Sequence, residues 1–134
     1  AQIYRDFSPY PGPGLLTHSG GNRGRPMEFS FYLPCYWPDT SIHAKVMYDE
    51  MLVQAARAED LGYAMLGIPE HHFINYLTHP SPLLTAVKLT SVTTRMPFIT
   101  SVLVLPFLDM RRLAGEIAQA DCLTDGRQIG RAHV

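Results

Sequence analysis

Residues 63–73 read Tyr63-Ala64-Met65-Leu66-Gly67-Ile68-Pro69-Glu70-His71-His72-Phe73, a mostly apolar run that ends on an acid and two imidazoles. The stretch from Tyr63 to Ile68 reads as a strand, and the residues immediately after it decide the fold. An open doubly wound sheet places a glycine-rich phosphate loop directly after a strand. An eight-stranded βα barrel instead gathers its polar groups at the C-terminal strand ends. Here the strand runs into PEHHF, and neither GxGxxG nor GxxxxGK occurs in the chain.

The flanking sequence repeats the pattern. Phe29, Phe31 and Leu33 make a short strand that stops at Pro34 and is followed by Cys35, Tyr36 and Trp37. Ser41 is the expected N-cap of a helix through Leu61, with Ala44, Met47, Met51, Ala55 and Ala58 at three- and four-residue steps and Gly62 as its stop. Ser81-Pro82 opens a second helix, expected to reach Arg95. Phe98 to Leu105, FITSVLVL, is a strand apolar enough to be covered on both faces. Asp109 caps a third helix carrying Met110, Leu113, Ile117, Ala120 and Leu123 on one side, and Asp125-Gly126 ends it. The order β-α-β-α-β-α, in units of about 30 to 35 residues, calls for parallel strands joined by right-handed crossovers. The expected fold class is therefore α/β, about three βα units from the N-terminal part of a (βα)8 TIM barrel. Three strands cannot close a barrel, and they leave an edge that water or another chain must satisfy.

Composition narrows the function classes. The 134 residues are 46% hydrophobic and 17% charged, an ordinary globular balance for one domain. A formal net charge of −1 lacks the basic excess that nucleic acid or an anionic membrane surface demands. No window approaches the roughly 18 apolar residues of a membrane span. Residues 1–26 are rich in Gly and Pro without periodicity and read as a flexible leader, with residues 27–128 as the partial barrel domain. Residues 129–134, IGRAHV, read as a non-native tail; the competing reading is a short protein whose barrel a partner chain completes. Cys35 and Cys122 are expected as reduced thiols in a cytoplasmic protein.

Three ionisable groups in a row at a strand end fit a metal site, a proton-transfer site or a polar lip. Strand alternation would send His71 and His72 to opposite faces, which disfavours one metal held by both. An imidazole with an ordinary pKa of about 6.5 suits proton transfer near neutrality. Glu70 could orient a neighbour or pair with an arginine, and His79 lies too far along a loop to be placed. Tyr36 and Trp37 are candidates for a substrate pocket. Cys35 has no basic neighbour to activate it and reads as a small buried residue. Arg111-Arg112 reads as a solvated pair.

The segments LGYAMLGIPEHHF, PSPLLTAVKLTSVTTR and TSVLVLPFLDMRRLAGEIAQADCLTDGR, in this order, resemble the first three βα units of the bacterial luciferase-like flavin monooxygenases, over Met27 to Arg127. The resemblance implies a TIM barrel that uses reduced FMN, delivered by a flavin reductase, and O2 to oxygenate a small organic substrate through a flavin C4a-hydroperoxide. Coenzyme F420 is the alternative cofactor within the superfamily. A metal-dependent barrel hydrolase using Glu70 and His71 is the reading from another class. By resemblance His71 is the catalytic acid/base, and Ser101-Val102, commonly a cis peptide there, forms the floor beneath the isoalloxazine ring. His72 and Glu70 join it at the cofactor. The family's phosphate-binding arginine does not carry over, because Arg131 follows Gly126-Arg127 too closely. Ala114, Gly115 and Ala118 fit the family's dimer interface on helices two and three.

Overall fold

The computed structural model describes residues 27–74, 78–129 and 132–133, so the leader and residues 130, 131 and 134 of the tail lie outside the described residues. Strand β1 (Phe31–Tyr32) leads to helix α1 (Ala44–Asp60), β2 (Leu66–Ile68), α2 (Pro82–Leu89) and β3 (Phe98–Thr100). Then come β4 (Leu103–Val104), a 3-10 turn at Leu105–Phe107, α3 (Met110–Leu123), β5 (Gln128–Ile129) and β6 (Ala132–His133). Four strands pair in the order β1-β2-β3-β5, and β4 pairs with β6. Every pairing is parallel, with Leu66 opposite Phe31 on one side and Phe98 on the other. All the described strands of the larger sheet therefore end at the same side.

Burial explains the layering. Leu66, Ile68 and Phe98 from the strands and Leu33 just after β1 pack with Met51, Ala55 and Ala58 of α1 and Ala86 and Leu89 of α2. A second cluster joins Leu83 of α2 and Leu103 of β4 to Leu113 and Ala120 of α3. Central β2 is buried along its whole length, as a strand covered on both faces must be.

The helix ends follow local chemistry. Ser81 and Asp109 cap α2 and α3 as expected, with Pro82 opening α2. Helix α1 ends in a glycine-type stop: Gly62 takes φ +81°, its N–H donates to the Glu59 carbonyl, and Tyr63 N–H donates to the Ala58 carbonyl. Asp125 and Gly126 close α3 through the equivalent pair of bonds to Cys122 and Asp121.

Three expectations are corrected. Ser41 does not cap α1, because Asp39 Oδ1 accepts both its N–H and its hydroxyl; His43 Nδ1 takes over by accepting from Lys45 N–H. Helix α2 stops at Leu89 rather than Arg95, where the hydroxyls of Thr90, Ser91 and Thr93 bond back to the carbonyls of Val87, Lys88 and Leu89. The long strand from Phe98 to Leu105 is two short ones, separated by a cis peptide at Ser101–Val102.

Opposite the strand ends, Glu59 ties α1 to the turn before β3. Its carboxylate accepts from the amides of Thr94, Arg95 and Met96 and from the Thr94 hydroxyl, at 2.8 to 3.2 Å. Burial pushes this carboxyl up, but the Arg95, Thr94 and Met96 amides more than offset it and hold it below the usual glutamate range. Glu59→Ala leaves these amides without their acceptor and is expected to cost about 3 kcal/mol in urea unfolding. Because the folded pKa is depressed, this contribution is full above the ordinary glutamate pKa and lost as pH falls through the folded value. Wild type and variant should therefore converge in acid.

Candidate functional site

The chemistry-bearing residues meet where β1, β2 and β3 end. Pro69 and Glu70 leave β2 buried, and the Glu70 side chain is only 1% exposed. A carboxyl so buried needs partners for both oxygens. Oε1 lies 2.6 Å from His72 Nε2, and Oε2 accepts from Val104 N–H at 2.9 Å. One side chain thus joins the end of β2 to β4, the segment just beyond Ser101–Val102. Ser101 N–H donates to the Ile68 carbonyl at 2.8 Å, so that dipeptide sits beside the same strand end, half-buried.

The strand-alternation argument for the histidines does not apply, since β2 ends at Ile68 and residues 69–73 follow their own turns. The two rings are separated in another way. His72 goes with Glu70 and with two exposed aromatics: its ring centroid is 5.0 Å from Phe107 and 6.2 Å from Phe73. Phe73, with φ +57°, is 96% exposed and meets Phe107 edge to face at 6.4 Å. His71 is half-buried, and its N–H donates to the His79 carbonyl at 2.8 Å.

His79 is the site residue that sequence reasoning does not place. It is fully buried, with Nδ1 3.4 Å from Thr85 Oγ1 and Nε2 without a hydrogen-bond partner of regular geometry among the described residues. Burial first, and the neighbouring His71 second, lower its pKa to about 4, against a weak upward pull from the Leu33 backbone. Beside it Thr78 bonds to Cys35, through Oγ1 to the carbonyl at 3.3 Å and to Sγ at 2.9 Å. The Tyr48 hydroxyl donates to the Thr78 carbonyl.

The remaining candidates are spread out. Tyr36 is exposed after β1, whereas Trp37 turns its indole N–H to the Ile42 carbonyl at 2.8 Å. Cys35 is buried and its thiol pushed up, by burial first and against the Thr78 bond; it and exposed Cys122 are both free. Arg111 and Arg112 are exposed and pair with Asp109 and Glu116. Arg127 lies at the other end of the sheet, bonded to Thr124 and Thr93 and stacked on Phe98. Arg131 lies outside the described residues. Both Glu70 oxygens already hold a partner, His72 and the Val104 amide. Among the described residues no cluster of three or more His, Cys, Asp or Glu could hold a metal ion.

Comparison with known proteins is unambiguous at the level of family and fold. A family model described as luciferase-like monooxygenase matches residues 27–129. The oxygenase component of a flavin-dependent trigonelline monooxygenase from Acinetobacter baylyi is 31% identical over 101 residues, which cover 75% of this chain and 28% of that protein. An uncharacterized Sinorhizobium fredii protein is 38% identical over 74 residues, covering 55% of this chain and 21% of its own length. Among solved structures, the oxygenating constituent of 3,6-diketocamphane monooxygenase from Pseudomonas putida, in complex with FMN, superposes with a TM-score of 0.74 at 21% identity, over 81% of this chain and 29% of that one. The monooxygenase RslO1 of Streptomyces bottropensis gives 0.71 at 26%, over 79% and 32%. This chain spans less than a third of the length of each. The fold is thus the expected partial TIM barrel.

Two outcomes check the site. In Glu70→Ala the Val104 amide should exchange with solvent about tenfold faster, the loss expected for one charge-assisted bond. For His79, the unfolded chain takes up a proton at an imidazole pKa of about 6.5, while the folded group waits until about 4. The unfolded state binds more protons between those values, so stability should fall as pH drops through that window. In His79→Gln that part of the pH dependence should disappear.

Proposed function

The chain belongs to the luciferase-like monooxygenase family, and on that premise we propose that the strand-end site serves an FMN-dependent monooxygenase, which uses reduced flavin and O2 to oxygenate a small organic substrate. The observation that carries the proposal is the convergence of His71, the Glu70–His72 pair and the half-buried Ser101–Val102 dipeptide at the C-terminal ends of adjacent parallel strands. The relative named as the oxygenase component of a flavin-dependent monooxygenase supports both the flavin and a separate reductase that delivers it.

The described residues fit the ring of such a cofactor. Ser101–Val102 offers a surface at the site, and Phe73 and Phe107 offer exposed rings at its rim. Arg111, Arg112 and Arg127 are each engaged with other residues, so they provide no free cation for the phosphate. Reduced flavin, when bound, supplies two electrons, with which one atom of O2 leaves as water and the other enters the substrate.

The protein's own groups then have separate duties. His71 holds and moves the proton at its imidazole, since the residue is half-buried and its backbone is held by the His79 carbonyl. Glu70 fixes His72 against the aromatic rim, and that rim restricts water on the substrate side; exposed Tyr36, just after β1, is the candidate substrate contact from the neighbouring strand end, with Trp37 beside it in sequence. The free thiols fit a cytoplasmic setting. A dimer through α2 and α3 is supported by exposed Leu84 and Leu123 along the groove between those helices, and by Gly115, whose face is open.

The test uses the whole protein. His71→Ala should lower product formation about 100-fold or more while leaving the affinity for reduced FMN within a factor of about two. Unchanged turnover would remove His71 from the mechanism. Parallel titrations with reduced FMN and reduced F420 decide the cofactor: tight binding of F420 alone would overturn the FMN assignment.

A further inference from the structure

His79 stands out from the rest of the molecule: a fully buried imidazole that meets Thr85 of α2 through Nδ1 and the Leu33 backbone, in a segment tied to four other parts of the fold. Its neighbour Thr78 is bonded to Cys35 beyond β1 and receives the Tyr48 hydroxyl from α1. Its own ring faces Thr85 on α2, whose hydroxyl also bonds to the Ser81 carbonyl. Its carbonyl accepts the His71 N–H that lies beyond β2.

We propose that His79 is a positioning residue for His71, its buried ring anchoring the 78–79 segment so that the His79 carbonyl fixes the direction in which the His71 imidazole is presented. The role rests on the reading of His71 as the proton-transfer group. The geometry gives the device its physical sense. A backbone carbonyl can direct its neighbour only if it cannot rotate, and the buried ring, held by Thr85 on α2 and by the Leu33 backbone just after β1, opposes that rotation. Burial also keeps the ring uncharged near neutrality, so the anchor places no positive charge behind His71. A charged anchor at that place would oppose protonation of the very group it positions.

The experiment pairs two readouts in full-length protein: turnover, and hydrogen exchange of the His71 amide. His79→Ala should speed exchange of that amide about tenfold and lower kcat about 10- to 100-fold, with reduced-FMN affinity unchanged. His79→Gln, uncharged, of similar reach and able to bond Thr85, should restore both to within a factor of about three. If His79→Ala is too unstable to study, Thr85→Val decides: it keeps the ring, removes its hydroxyl partner and should raise His71 exchange in the same direction by a smaller factor. His71 exchange unchanged in these variants would overturn the proposal, as would a loss of kcat that glutamine does not restore. The exchange readout does not depend on chemistry, so the two readings fail separately: accelerated exchange with intact turnover in both His79→Ala and His71→Ala condemns the role of His71 and leaves the anchor standing.

Discussion

A single buried carboxyl holds the working end of this fold together. Glu70 follows the buried Pro69 at the end of β2 and reaches both His72 and the Val104 amide, 34 residues further on. Parallel strands this short are joined to their neighbours by few backbone bonds, and the pairing of β3 with β2 ends at Thr100, before β4 begins. The carboxyl ties β4 back to the end of β2. Without it the half-buried Val104 N–H in β4 would lose this acceptor, and His72 would lose the group that orients it. The Ser101 N–H bond to the Ile68 carbonyl fixes one end of the Ser101–Val102 dipeptide, and Glu70 fixes the segment beyond it together with His72 of the aromatic rim.

A similar logic operates at the other end of the sheet, where Glu59 gathers the amides of the turn before β3. One acid lies just beyond a strand and the other in the last turn of a helix, and each grips backbone from the next βα unit. The hydrophobic clusters bring helices and strands together without direction; the two acids supply the direction. This division of labour leaves His71 to be held by a third contact, through His79, that involves neither acid.

Much of this is legible in the sequence where the determinants are local. Ser81-Pro82, Asp109, Gly62 and Asp125-Gly126 stop and start helices through bonds that span a few residues, and each does so in the structure. The order of units and the strand ends PCYW, PEHHF and PFLD point to a barrel for the same reason. Sequence reading fails in two ways. Ser41 is drawn off its helix, and Thr90 to Thr93 end theirs, through competing side-chain bonds that periodicity does not weigh. Glu70's bond to the Val104 amide and the burial of His79 escape because they depend on residues from other parts of the chain; no local pattern marks a histidine that will be sealed behind the site. His71 is singled out only by resemblance, since spacing leaves it equivalent to His72.

If the proposed function holds, His71, Ser101 and Val102 face one bound flavin. The most direct measurement is a structure of the full-length protein with FMN. The isoalloxazine ring should lie on the Ser101–Val102 peptide, with the His71 imidazole within hydrogen-bond reach of the ring or of a water on it. A flavin seated away from these strand ends, or one whose ring is shielded from His71, would contradict that arrangement.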